Sequence, residues 1–309
     1  LPPRRPASRG RAGDFLEPRV RAAIETGDTP PEHRSAAIAF LALDGLAAVR
    51  ADGGIDEART APCRTQELPL GQPVDAAELG QPLHAFDRAK LQGTCTVVIR
   101  RSHHIACLAA YHQRATDQGM LMQLHCSDPN SKSVAPFGGL DPVFTPNPVS
   151  YGFPTSQTPI MVDVSTSATT NGMTNRLFAE KKSLPAAWVM DGHGHPSSDP
   201  GVLFQEPKGT ILPLGGMDSG HKGYGLSLMV EALTGGLAGH GRADPAEGWG
   251  ATVFLQIMDP HAFAGKAAYE RQMDQVVANC HKSTPAKLGQ PVRTPGERGL
   301  QHKAESLLN

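Results

Sequence analysis

Four short runs, Thr94–Arg100, Met120–Cys126, Pro159–Val164 and Ala251–Met258, are apolar or β-branched, and turn residues bound each of them. Runs of this kind read as strands of a largely buried sheet. Helical signals separate them: Ser102–Gly119 carries Ala106, Ala109, Ala110 and Ala115, and Ala262–Asn279 follows the last run. The alternation predicts an α/β fold. With 33 glycines and 27 prolines in 309 residues, it is a loop-rich one, unlike a coiled coil or a helical repeat.

Ahead of the sheet, Phe15–Glu25 and Pro31–Arg50 read as helices, the second with Pro31 suited to a first turn and Ile38, Leu41 and Leu46 on one face. Gly53-Gly54 and Pro62–Pro73 read as a linker. Gln81–Leu91 predicts a further helix, ended by Gly93. Leu1–Gly13 is rich in Arg and Pro and does not begin with Met, so a disordered tail or an incompletely represented start is expected there.

A net charge of −1 supplies no global field to recruit nucleic acid or anionic membrane. Cys63, Cys95, Cys107, Cys126 and Cys280 are scattered without a C-x-x-C pair, which fits the reduced thiols of a cytoplasmic protein. The apolar stretch Ala36–Leu43 is far too short to span a bilayer.

Chemistry concentrates in a few places. Gly215–Gly225 holds His221, Lys222 and Gly223 and feeds the apolar run Leu226–Leu237, whose Leu226, Met229, Val230, Leu233 and Leu237 predict a core-facing stripe. Its glycines and lysine suit an anion site at a helix start. A Gly-rich turn that merely caps a buried helix has the same appearance, and these residues alone leave both readings open. The spacing departs from a P-loop, because His221 displaces the lysine and Gly223 stands where a hydroxyl is needed; no G-x-G-x-x-G follows a strand either.

Ser102-His103-His104 follows a strand end, where imidazoles can exchange protons near neutral pH. Ser127 and Asp163 also end strands. Ser127 is a candidate ligand contact or an ordinary turn former, and Asp163 a ribose acceptor or a cap for the next helix. His193 and His195 have no evident third ligand, so no metal site is expected.

Taken in order, Ser102-His103-His104, Ser127 with Val134–Gly139, Asn147-Pro148, Val162–Ser167, Leu212–Gly216, His221–Gly225 and Pro295-Gly296-Glu297 resemble the malate/L-lactate dehydrogenase family that does not use a Rossmann fold. Its relatives include sulfolactate, ureidoglycolate and diketogulonate dehydrogenases and a reductase of cyclic 2-imino acids. The resemblance covers roughly Gly93–Glu305. It implies a cofactor domain with a mixed β-sheet over residues 69–261, a helical domain built from both termini (1–68 with 262–309), and a homodimer or higher oligomer. It further implies NAD or NADP as cofactor and a small 2-hydroxy or 2-oxo acid as substrate. A cyclic imino acid, or nucleotide binding without catalysis, would be the alternatives.

Carried over residue by residue, His103 is the expected proton-exchanging base, with Asn147 and Arg50 toward the substrate. The expected cofactor contacts are His104, Ser127, Ile160, Val162, Asp163, Val164, Ser165, His221, Lys222, Gly223, Pro295, Gly296 and Glu297. Three departures stand out. The family's Ser-His-Gly block and following Arg have no counterpart, and Leu43–Arg50 reads as a junction across a missing segment. Pro146 replaces a Thr, and Ala106 a Gly.

Overall fold

The computed structural model describes residues 59–61, 85–102, 104–244 and 250–308. The helices expected over 15–25 and 31–50 and the linker over 62–73 lie outside them. Helix α1 (Ala85–Gln92) ends at Gly93, whose φ of 85° makes the turn into strand β2 (Thr94–Ser102). Helix α2 (Ala109–Thr116) leads to β3 (Leu121–Ser127). Strands β4 (Val149–Phe153) and β5 (Ile160–Val164) follow, then helix α3 (Asn171–Ala179). With the edge strand β1 (Arg59–Ala61) and the late strand β9 (Ala251–Met258), these form a six-stranded sheet in the order β1-β2-β9-β3-β4-β5.

Every ladder in that sheet is antiparallel, which corrects the expected mixed sheet. The path β2–α2–β3 does leave its two strands parallel. They are not neighbours, because β9 inserts between them and runs opposite to both. β1 falls within the 1–68 part expected to be helical, yet it joins the sheet. β9 is nearly continuously buried, as the apolar run of a central strand requires.

One sheet face is dry. Phe86 and Ala89 of α1, Leu108 just ahead of α2, and Tyr111 and Ala115 of α2 pack on Val97, Met122, Leu124, Val253, Leu255 and Ile257. Burying each larger side chain contributes about 1.5–3 kcal/mol. The opposite face is partly polar: Gln123 donates to Gln256, and Gln256 donates to Thr96 Oγ1 at 3.0 Å.

A second, three-stranded sheet joins β6 (Val189–Met190), β7 (Pro196–Ser197) and β8 (Thr210–Ile211). Its cluster of Val134, Phe144, Leu184, Val189, Leu203 and Ile211 supports helix α4 (Gly216–Glu231) through Tyr224. A π-helical turn, Ala232–Gly236, continues α4. Two C-terminal helices, α5 (Lys266–Lys282) and α6 (Glu297–Leu308), complete the described chain; α5 buries no residue.

Helix α4 differs from expectation at both ends. It starts at Gly216, with a kink at Ser219, so His221 and Lys222 lie within the helix rather than in a loop. Its buried face is Gly220, Gly223, Ser227 and Val230, continued by Thr234, whereas Leu228 and Leu237 of the apolar run are exposed. Small residues win that face because the helix approaches its neighbours too closely for leucine.

Candidate functional site

Four of the expected site residues, Ile160, Val162, Asp163 and Val164, lie on β5, which sits at one edge of the large sheet. At its start, Met161 N donates to Pro295 O at 2.9 Å, and Gly296 (φ 99°) lies so close that a Cβ would stand 2.9 Å from that of Met161. Ile160 and the turn Pro295-Gly296-Glu297 are thereby brought together. Glu297 is engaged within the protein: its Oε1 accepts from Thr294 Oγ1 and meets His281 Nε2, each at 2.6 Å. Burial alone would raise its carboxyl, but these hydrogen bonds outweigh it and leave the pKa lowered.

Successive side chains of a strand point to opposite faces, so Val162–Val164 cannot act as one row. Val162 pairs across from Tyr151, while Asp163, opposite Ser150, turns to the face that carries α2. Asp163 Oδ2 accepts from Ala109 N at 2.9 Å and from the Cys107 thiol at 3.5 Å. It therefore caps a helix, though not the next one: α2 begins 54 residues earlier in the chain.

The loop from His104 into α2 is tightly constrained. Ala106 N donates to His104 Nδ1 at 3.2 Å, and the Tyr111 hydroxyl donates to Ile105 O at 2.9 Å. Ahead of it, the ladder is irregular between Ile99 and Ser102, where Arg101 has φ 55°; Ala106 has φ 58°. Left-handed backbone in non-glycine residues is strained, and bulges beside a site re-aim side chains. The expected base, His103, and Arg50 lie outside the described residues.

Beyond β5, Thr166 O accepts from Leu214 N, and Leu214 O accepts from Gly223 N at 3.1 Å. A Cβ on Gly223 would stand 2.3 Å from Leu214 N and 2.6 Å from Thr166 O. This glycine thus serves close packing rather than approach to a phosphate. Lys222 is exposed in the second helical turn, where backbone N–H groups are already bonded, and Asp218 fills the first turn. The anion site expected at the helix start is not built that way. Around this junction Val164, Leu214, Met217 and Phe137 are each partly exposed, as are His221 and Lys222. The Phe137 and His221 rings meet edge-on at 5.7 Å.

Two expected contacts are interior. Ser127 is 2% exposed and its hydroxyl pairs with Thr234 Oγ1 at 2.8 Å. Asn147 is 0% exposed; its amide donates to Glu231 Oε1 at 2.8 Å and its carbonyl oxygen accepts from Thr145. Glu231 in turn holds Arg242 at 2.7 Å. Asn147 (φ 41°) therefore knots the loop before β4 to α4 rather than facing a substrate.

Sequence reasoning missed Tyr111, Thr166 and the buried pair His112–Ser150, with Nε2 and Oγ 2.5 Å apart. Burial lowers His112 and His125 to about 4, so both are neutral and poorly suited to proton exchange. One signal for this packing was present: Gly152, inside a strand, leaves room that His112 fills, since a Cβ there would lie 2.6 Å from its Cβ. Among the described residues no His, Cys, Asp and Glu cluster suits a metal ion, and no helix is long and apolar enough to cross a membrane.

Residues 80–309 match the family model for malate/L-lactate dehydrogenase. The chain is 29% identical to an L-lactate dehydrogenase of Cupriavidus necator, over 72% of this chain and 64% of that protein. It is 32% identical to a malate/(S)-sulfolactate dehydrogenase of Methanothermus fervidus, over 74% and 65%. Among solved structures, Δ1-piperideine-2-carboxylate reductase from Pseudomonas syringae superposes with a TM-score of 0.63 at 30% identity, covering 75% of this chain and 67% of that one. The chain thus spans less than two thirds of the length of these two dehydrogenases.

Proposed function

We propose, for a chain that belongs to the malate/L-lactate dehydrogenase family, that it is an NAD(P)-dependent oxidoreductase transferring a hydride between nicotinamide and a small 2-hydroxy or 2-oxo acid. The observation that carries this reading is the pair of hydrogen bonds Leu214 N to Thr166 O and Gly223 N to Leu214 O, which ties the segment after β5 to α4. Val164, Leu214, Met217 and Phe137 offer apolar cover for a planar ring, and His221 and Lys222 offer donors for phosphate or ribose oxygens. That donor set fits a dinucleotide. Its binding would use His104, Val162, Val164 and Ser165 as well, with Ile160 and the Pro295–Glu297 turn bordering the far end. Ser127 and Asn147 support the site from inside.

The bound nicotinamide would accept or donate the hydride. His103 takes the substrate hydroxyl proton during oxidation and returns it during reduction, a contribution of about 10²–10⁴ in rate. The carboxylate clamp belongs to Arg50 in this reading. A homodimer and a cytoplasmic setting are part of the same proposal, supported by the resemblance and by the free thiols Cys95, Cys107, Cys126 and Cys280.

Thermal melting with NADH and NADPH tests the cofactor: saturation at 100 times Kd stabilises by about 2.7 kcal/mol. Turnover of malate, lactate, tartrate and sulfolactate then tests the substrate class. In His103→Ala, cofactor stabilisation persists while turnover falls about 10²–10⁴-fold; unchanged turnover rejects His103 as base. The likeness to a piperideine-carboxylate reductase supports a second reading, reduction of a cyclic imine. Faster turnover of a cyclic imine than of any 2-oxo acid would select it.

A further inference from the structure

Helix α2 opens without a cap of its own. Its N-cap residue is Leu108, which has no side-chain oxygen to offer the first N–H groups. The missing acceptor comes from β5, where Asp163 Oδ2 takes the Ala109 N–H at 2.9 Å and the Cys107 thiol at 3.5 Å. A carboxylate also suits the positive end of the helix dipole. Cys107 lies in the loop 104–108 and Ala109 opens the helix directly after it, and that loop follows His103 in the sequence. Tyr111 fixes the middle of the loop through Ile105 O, while Ala106 stays in a left-handed conformation that the chain would otherwise leave.

We infer that Asp163 is the positioning residue of the histidine loop: its carboxylate ties α2 and residues 104–108, the segment that follows His103 in the sequence, to β5. This departs from the role expected from the resemblance, in which Asp163 touches the cofactor. It rests on the reading of His103 as the base. The pairing is geometric, so the position of one oxygen matters more than the charge.

Three substitutions in the full chain separate the possibilities. Asp163→Asn keeps an oxygen for Ala109 N–H and loses the charge, and Asn caps helices as well as Asp. Asp163→Glu keeps the charge and displaces the oxygen by a methylene, and Asp163→Ala removes both. For a positioning residue, kcat in Asn stays within about threefold of wild type, because the cap is retained. In Glu and Ala it falls about 10–100-fold, the scale of an ångström-level misplacement. The Kd of NADH or NADPH moves less than about twofold in all three, and the Ala109 amide loses protection from hydrogen exchange in Ala but keeps it in Asn.

Several results would overturn the inference. A collapse of kcat in Asn equal to that in Ala would make the charge itself catalytic. A cofactor Kd weakened more than about tenfold in Asn and Ala would make Asp163 a cofactor ligand, and lowered stability with kcat intact would leave only a structural cap. If the wild-type chain turns over neither acids nor imines with either cofactor, the oxidoreductase reading fails on its own. The exchange measurement still decides the anchor, since undiminished Ala109 protection in Ala refutes it and loss of protection upholds it.

Discussion

Segment 215–225 and loop 104–108 flank the same strand but are held by different means. The first is fixed by glycine packing: Gly223 presses on the backbone of Leu214 and Thr166, and Gly220 on the side chains of Phe137 and Pro213, with little room for a Cβ. The second is fixed by side chains that reach it from elsewhere, Asp163 from β5 and Tyr111 from α2. Glycine packing is intolerant of any added atom yet indifferent to pH. Side-chain anchoring tolerates conservative exchange, and it brings titratable groups into the core beside it.

The contrast can be broken most severely at Gly223. Its neighbours are backbone atoms at 2.3–2.6 Å, which cannot swing aside. Gly223→Ala is expected to cost above about 3 kcal/mol, read as a lost or strongly shifted urea transition; a shift below about 1 kcal/mol would show that α4 can slide.

Acid should weaken the other side. His112, on α2, and His125, on β3, are held by burial at about 4, against an ordinary value near 6.5. Lowered in the fold, each favours the native state fully above about pH 6.5, and that stability drains as pH falls toward 4. The loss at pH 4.5 is about 2–3 kcal/mol per histidine. Urea midpoints at pH 7 and 4.5 measure it, and His112→Asn, which cannot titrate, should shrink the difference by about half. Equal midpoints for wild type at both pH values would contradict the burial of both rings.

The smallest effect is expected at Ala106, left-handed with φ 58°. Ala106→Gly relieves that strain against a greater loss of unfolded-chain entropy, for a net gain of about 0.5–1 kcal/mol. Thermal melting that shows destabilisation would mean the loop does not need this conformation.

Much of the sheet was legible. The runs read as strands became β2, β3, β5 and β9 with at most two residues shifted at an end, because apolar runs between turn residues have few other ways to bury themselves. β4 was missed: Val149-Ser-Tyr-Gly-Phe153 carries a glycine and two hydroxyls, and its Gly152 and Ser150 answer to His112 rather than to strand propensity. The histidine loop, β5 and the 295–297 turn stand out in the sequence itself. The burial of Ser127 and Asn147 and the capping of α2 by Asp163 have no local signal.

Alone, the sequence determined four strands of the large sheet, most of the described helices, the absence of both dinucleotide fingerprints and the family resemblance, since each depends on local pattern and order along the chain. Tertiary structure decided the antiparallel sheet, because a strand from residue 251 onward inserts between two earlier ones. It also decided that Gly223 packs rather than cradles a phosphate and that Asp163 caps a helix 54 residues away. Contacts of that range depend on where whole elements come to rest, and no local pattern encodes them.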